Sequence, residues 1–372
     1  MTVAFFSSVL NHHQISLCEE LNRASDVNFT FVQMIDLTDE RRAQGFTSYD
    51  KPYVVYAKKE PERAYRLCMD SDVVIAGVIE QKWVNERAAT GKLTLAYKER
   101  FLKDPKALFK PAFWKNGYLN YYRYRNKELY FLCASAYTAR DTRFIFPRSK
   151  KKLKWGYFPK INRHTDHDAV LSEKKKGSIL WVGRFLDWKH PESCIELAKR
   201  LSSENYEFII SMVGLGEKKA DLKKLIAENA LGEKVQILGA MSPEQVREKM
   251  CESEIFLFTS DNKEGWGAVL NEAMSEGCAC VSSRQAGSTE FLINDGENGF
   301  IFDYDDLDKL VGRVKLLLDD SEKRGIVQKN ALKTINEEWN AEIAAERLVA
   351  FCRYKIEGAE QPKYESGPMS VS

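Results

Sequence analysis

The chain has 372 residues, enough for about two domains at roughly 100–200 residues each and long enough to bury a core without disulfides or structural metals. With 44% hydrophobic and 30% charged residues and a mean hydropathy of -0.43, it is too apolar for a disordered chain and too evenly charged for a polytopic membrane protein. Lys and Arg number 56 against 54 Asp and Glu, a net charge of +2, so no overall field selects nucleic acid or an acidic polymer, and any basic function has to be local.

A short apolar strand over residues 2–6 opens the chain, followed by a polar loop and a helix from near Asn11, along which Leu17, Cys18 and Leu21 recur at helical spacing. Residues 29–34 read as a second strand. Val73-Val74-Ile75-Ala76 and residues 93–96 are short apolar runs of the kind buried in a parallel sheet. Strands alternating with helices predict a doubly wound sheet. Asp70-Ser71-Asp72 has the Asp-x-Asp spacing of metal-binding carboxylates, but it precedes its strand and so points away from the strand ends where open α/β sheets bind ligands; no metal is expected.

From Lys98 the composition changes: nine Lys or Arg stand against two acids in residues 98–127, interleaved with Phe109, Phe113, Trp114, Tyr118, Tyr121, Tyr122 and Tyr124. A helix lying on an anionic membrane fits this pattern, as do buried rings with solvated cations around them, or stacking on a single-stranded nucleic acid. Nucleic acid is not expected as a partner, and peripheral membrane contact through residues 106–127 stands beside simple packing.

Lys174-Lys175-Lys176-Gly177 reads as a solvated linker, and the domain boundary is placed here. A second alternating series follows, with strands at 179–182, 208–213, 235–238, 255–259 and 279–282 and helices at 191–202, 218–229, 243–251, 268–275 and 307–318. Pro243 opens one of these helices and Gly277 closes another. A further amphipathic helix near 341–354 precedes a tail with too few apolar residues to pack. The domains expected are 1–165, 176–340, a helix 341–356, and a flexible tail 357–372. The eight cysteines lie in apolar runs without a C-x-x-C pair, as reduced core thiols do. No leader is evident at the start and no apolar run reaches the ~18 residues of a spanning helix, so a cytoplasmic location is expected.

The strongest motif is Glu264-Gly265-Trp266-Gly267-Ala268-Val269-Leu270-Asn271-Glu272, two carboxylates eight positions apart around a Gly-x-Gly loop that opens a helix. Glu264 precedes the helix and Glu272 sits one turn inside, so both can face what lies at the helix N-terminus. The glycines let backbone amides approach an anion, and the helix dipole favours phosphate there. A carboxylate accepts hydrogen bonds from two adjacent hydroxyls, so the pair suits a molecule with diols at both ends and a diphosphate between, the shape of a nucleotide sugar. The plainer reading is a glycine-containing helix entry with two surface acids. Val182-Gly183-Arg184 to Lys189 ends a buried strand and puts two cations on the next loop, where they can clamp a diphosphate and balance the charge that grows on it, or simply be solvated. Gly214-Leu215-Gly216 resembles a dinucleotide fingerprint but has Lys219 where a third glycine is needed. All three loops follow strands of one domain and converge on one sheet edge.

Taken with Val235-Gln236-Ile237-Leu238-Gly239 and the run Glu290 to Gly299, these residues resemble the donor half of a family 4 glycosyltransferase over about residues 178–318. The resemblance implies the GT-B fold, α/β with two Rossmann-like doubly wound domains facing across a cleft. It implies transfer from a nucleotide sugar with retention of configuration and without a metal or other cofactor. Position by position, it implies that Arg184 and Lys189 bind the diphosphate and that Glu264, with the amides of Gly265, Trp266, Gly267 and Ala268, holds the donor sugar. Gly214 and Gly216 belong to the same donor loops, Glu272 binds the ribose diol, and the segment around Leu238 holds the base. Arg184, Lys189 and Glu264 are the expected catalytic set, with UDP the commonest carrier and GDP and ADP as alternatives. The acceptor implied is a saccharide or a polyprenyl-linked saccharide at the inner face of the plasma membrane, in polysaccharide or glycolipid biosynthesis. The rivals are an inactive nucleotide-sugar sensor or scaffold and, on the doubled Rossmann-like pattern alone, a dinucleotide-dependent oxidoreductase.

The N-terminal half departs from the family's pattern. Where a Gly-Gly loop often follows the first strand, this chain has Leu10-Asn11-His12-His13-Gln14. Asn11 with Gln14 has the spacing of a capping box, which needs no ligand. His12 or His13 is equally suited to touch a phosphate or the acceptor. Glu80 or Glu99 can stand at the mouth of this half, where the family often has a histidine.

Overall fold

The computed structural model describes residues 1–37, 48–147, 150–162, 164 and 166–372. The chain forms two compact units, Met1–Lys160 with Asn340–Ser372, and Ile161–Trp339.

The first unit is built on a parallel sheet of β1 (Thr2–Ser7), β2 (Asn28–Gln33), β3 (Val54–Tyr56), β4 (Val73–Ala76), β5 (Leu93–Lys98), β6 (Leu129–Cys133) and β7 (Lys152–Lys154), in the order β3-β2-β1-β4-β5-β6-β7. Every residue of β4 and β6 is buried, as strands covered on both faces require. The connections include α1 (Ile15–Arg23), α2 (Pro61–Asp70), α3 (Gln81–Thr90), α4 (Pro111–Asn120) and α5 (Thr138–Thr142). Helix α1 turns Ile15, Leu17, Cys18 and Leu21 inward.

The second unit begins with α6 (His167–Ser172) and carries a parallel sheet of β8 (Lys175–Val182), β9 (Ile209–Val213), β10 (Val235–Gly239), β11 (Ser253–Phe258), β12 (Ala279–Ser283) and β13 (Phe300–Phe302), in the order β10-β9-β8-β11-β12-β13. Around it lie α7 (Glu192–Ser203), α8 (Lys219–Glu228), α9 (Pro243–Glu252), α10 (Val269–Ser275), α11 (Thr289–Leu292), α12 (Leu307–Asp319) and α13 (Ser321–Glu337). Ser242 and Gln245 form a reciprocal capping box at the start of α9. The last helix, α14 (Ala341–Glu357), belongs to the first unit and packs on α1.

Two expectations about organisation are corrected. The basic run placed in a linker is structured: Lys175 and Lys176 open β8, Glu254 accepts the Gly177 amide at 2.8 Å, and Lys174 donates to the carbonyl of Met250 at 2.8 Å and to that of Glu276. Lys175 is also ion-paired with Glu252 at 2.9 Å while Lys176 stays exposed, so ordering the run strands no charge away from water or an acceptor, and the units divide at Lys160 instead. The end of the tail is also not free. Met369 donates to Lys154 O at 2.8 Å, Lys154 to Ser370 O at 2.8 Å and Ser372 to Lys152 O at 2.9 Å, while Val371 bridges antiparallel to Leu153. Strand β7 is the edge of its sheet, and its unpaired backbone groups hold the tail through main-chain bonds that need no apolar side chains.

In each sheet the strand order reverses once, between β1 and β4 and between β8 and β11. Beyond the carboxyl ends of the strands at such a reversal the loops diverge and leave a crevice.

Candidate active site

At the β8/β11 reversal, the loops after these two strands carry Arg184, Lys189 and Glu264. Phe185 is buried and stacked on Trp181, with centroids 5.5 Å apart, which turns the adjacent Arg184 outward, and its side chain is exposed. Two residues after Phe185, the chain makes a short 3-10 turn, Asp187–Lys189. The Lys189 ammonium is ion-paired with the Glu264 carboxylate, and the two side chains are only 12% and 11% exposed. Ser260 Oγ donates to the same carboxylate oxygen at 3.1 Å, and the ammonium lies 4.7 Å from the Trp188 ring and 5.7 Å from that of Phe258. Thr259 Oγ1 accepts from Trp181 Nε1 at 2.8 Å and donates to the Lys189 carbonyl at 2.6 Å, tying the two loops together. Lys189 and Glu264, expected to hold different parts of one ligand, thus hold each other.

Gly214 and Gly216 have a definite backbone task. Both have positive φ, 148° and 157°, and a Cβ on Gly214 would stand 1.9 Å from Gly183 O, one on Gly216 2.4 Å from Phe185 O. Phe185 donates to Leu215 O at 2.8 Å, so the loop after β9 lies directly against the loop that presents Arg184. Leu238 is half-buried near the end of β10, where Gly239 O accepts the Gly214 amide at 2.8 Å.

Along the Glu264–Glu272 segment, Gly267 has φ 86° and its missing Cβ leaves room for the Phe258 ring, which would otherwise be 2.1 Å away. The Trp266 indole is core: it packs against Trp339 and Phe291 and donates to Asn271 Oδ1 at 2.9 Å. Its side chain is therefore turned away from any ligand, leaving its backbone. The amides of Gly265, Trp266 and Gly267 donate to no backbone acceptor among the described residues. Ala268 caps α10, and Glu272 stands in its first turn. Burial drives the Glu272 carboxyl up to about 7, against the pull of Arg247 and with a further push from Glu276 one turn on. Glu276 is buried and saturated, accepting from Asn162 at 3.1 Å and Cys251 Sγ at 3.2 Å and meeting His164 Nε2 at 2.9 Å.

In the first unit, the loop between β1 and α1 does not form the expected capping box. Asn11 Oδ1 accepts the His13 amide at 3.0 Å, Gln14 Nε2 instead donates to Ser7 Oγ at 2.8 Å, and α1 starts without a side-chain cap. The His12 and His13 rings lie 3.8 Å apart, and burial, reinforced by His12, holds His13 down at about 3, so it is neutral at physiological pH. Glu99, just past β5, accepts from Tyr157 at 3.1 Å and from Lys103 at 3.3 Å, and the Tyr157 ring stands 6.2 Å from that of His13. His12, His13 and Glu99 thus share the carboxyl edge of this sheet. At the opposite end, Asp72 Oδ2 accepts from the Thr2 amide at 2.7 Å and its hydroxyl at 2.9 Å, a structural use of the Asp-x-Asp pair. Sequence reasoning missed Lys98, which donates to Gly77 O at 3.2 Å beside the β4 end, as well as Thr259, Ser260 and Asp261. Their signal was their position at the end of a buried strand, Lys98 as the last residue of β5 and the other three directly after β11.

The basic aromatic segment divides. Tyr121 and Tyr124 join Phe131 and Phe146 in the core, whereas Phe109, Trp114 and Tyr118 are 88%, 46% and 56% exposed among exposed Lys106, Lys110 and Lys115.

The model of the glycosyl transferases group 1 family matches residues 162–334, almost the whole second unit. Among curated relatives, sulfoquinovosyl transferase SQD2 of Arabidopsis thaliana is 30% identical over 172 residues, 45% of this chain and 32% of its own. Alpha-D-kanosaminyltransferase of Streptomyces kanamyceticus is 29% identical over 175 residues, 47% of this chain and 45% of its own. The chain thus spans a third to a half of the length of these relatives. The crystal structure of Anabaena HepE with UDP and glucose is similar in fold, with a TM-score of 0.67 at 14% identity over 94% of this chain and 98% of that chain.

Proposed function

We propose, from the premise that this chain is a family 4-like glycosyltransferase of GT-B fold, that it moves a hexose-type sugar from a nucleotide sugar, UDP-linked, to a saccharide or polyprenyl-linked saccharide. The observation that carries this reading is the Lys189–Glu264 pair at the β8/β11 reversal, inside the matched segment and beside exposed Arg184. A nearly dry ion pair is a ready exchange site: a diphosphate takes the ammonium, and the freed carboxylate accepts sugar hydroxyls. Arg184 and the amides of Gly265 to Gly267, which donate to no backbone acceptor among the described residues, complete the anion site, Glu272 receives the ribose diol, and the half-buried segment at Leu238 receives the base.

The negative charge that builds on the leaving diphosphate as the glycosidic bond breaks is met by Arg184 and Lys189, which removes the need for a metal. Transfer proceeds with retention by front-face substitution, the leaving phosphate oxygen taking the acceptor proton. On the acceptor side, neutral His13, His12 and Glu99 hold hydroxyls or phosphate. The enzyme works in the cytoplasm at the inner face of the plasma membrane, with Phe109, Trp114 and Tyr118 at headgroup depth and the neighbouring lysines on phosphates. Among the described residues no helix is long and apolar enough to cross a membrane. The test is a thermal-shift panel of UDP, GDP, ADP and NAD with and without magnesium, followed by UDP-sugar hydrolysis and NMR of the product anomer. A UDP shift independent of magnesium supports the reading, and a shift with NAD alone overturns it.

A further inference from the structure

Lys189 is aimed by the residue that follows it. His190 has φ 48° and ψ 50°, a left-handed conformation that side-chain-bearing residues seldom adopt and that His, Asp and above all Asn tolerate best. The turn is closed by the His190 amide on Asp187 O and the Lys189 amide on Leu186 O, each at 3.0 Å. The imidazole lies between a carboxylate at the start of α7 and one on the loop after β11. It stacks on Tyr304 at 4.9 Å, with Nδ1 3.1 Å from Glu192 Oε1 and the buried Nε2 facing Asp261 Oδ2 at 3.6 Å. Glu192 is fixed in turn: burial opposes its ionisation, but hydrogen bonds from His190 and Lys218 outweigh that and bring it to about 2.

Asp261 belongs to the other half of the ion pair. Its amide donates to Trp188 O at 2.8 Å, and its carbonyl accepts the Glu264 amide at 3.2 Å. One ring therefore couples the loop that presents Lys189 to the loop that presents Glu264. We propose that His190 is a positioning residue of the donor site, setting the Lys189–Glu264 geometry through its left-handed backbone and through Asp261. The inference rests on the donor-site reading above.

The test is a double-mutant cycle of His190→Asn and Asp261→Asn, read by UDP affinity in calorimetry and by melting temperature without ligand. Asn accepts the left-handed backbone at position 190 and at position 261 is nearly the same size and shape as Asp, so both single variants should fold, with melting temperatures close to that of the wild type. Each should bind UDP about tenfold more weakly, and the double variant no more weakly than either single one, because the two residues act through one contact. A variant that binds UDP like the wild type, or losses that multiply in the double variant, overturns the inference while leaving the donor site standing. A wild-type protein that binds no nucleoside diphosphate overturns the donor reading and this inference with it.

Discussion

Replacing Glu272 by Gln separates two roles of one carboxyl. In the folded protein this group titrates near 7 against its ordinary 4.5. At about 1.36 kcal/mol per pH unit, ionising it inside the fold costs roughly 3 kcal/mol more than ionising it in the unfolded chain. Between pH 4.5 and about 7 the folded state keeps a proton that the unfolded chain has lost. The group's contribution to stability is therefore full below pH 4.5 and is lost as the pH rises through 7. The amide of the Glu272→Gln protein does not titrate. Without ligand, its advantage over the wild type should grow from near zero at pH 4.5 to roughly 3 kcal/mol at pH 8, about 6–12 °C in melting temperature for a unit of this size. Saturating UDP should act in the opposite sense, because an ionised carboxylate accepts both ribose hydroxyls and an amide oxygen with its NH2 group does not. The UDP shift at pH 8 should be several degrees smaller in the variant. Circular-dichroism melts from pH 4.5 to 8, with and without UDP, read both effects. Parallel melting curves across pH, or equal UDP shifts, refute the reasoning.

Other substitutions probe the remaining parts. Arg184→Ala should lower UDP-sugar turnover by roughly 10²–10³-fold with little change in melting temperature, since the side chain is exposed and its work is on developing charge; unchanged turnover would remove it from the site. Lys189→Ala leaves the Glu264 carboxylate buried without its ammonium, and a loss of about 3 kcal/mol in urea unfolding is expected along with loss of turnover. Gly214→Ala forces apart the loops after β8 and β9, and a destabilisation of at least about 3 kcal/mol should appear in the same assay. Phe109→Ser with Trp114→Ser should weaken cosedimentation with phosphatidylglycerol vesicles at least tenfold while leaving UDP binding unchanged.

Much of the second unit was legible because its signals are local. The apolar runs at β8, β9, β11 and β12 are continuous and bounded by turn residues, and the Glu264–Glu272 spacing sits on a single loop and helix. The first unit was harder to read. Leu129-Tyr130-Phe131-Leu132-Cys133 forms β6 but follows a stretch whose aromatic rings all look alike in sequence, although Tyr121 is core and Phe109 is bare. Lys152-Leu153-Lys154 is too short and polar to announce β7, and it exists as a strand because β6 and the returning tail give its backbone partners.

The glycines of Gly214-Leu215-Gly216 resembled part of a dinucleotide fingerprint, but the space where their side chains would stand is taken by backbone carbonyls of another loop, those of Gly183 and Phe185. Periodicity, turn residues and motif spacing are properties of neighbouring residues, so the sequence by itself determined the α/β class, the doubly wound pattern and the loop and helix start that hold the two carboxylates. Tertiary structure alone decided that Lys189 meets Glu264, 75 positions away, with His190 and Asp261 beside them. Parallel strands bring their carboxyl ends to one edge whatever their separation in the chain, and charges drawn there out of water are stable only when they find each other.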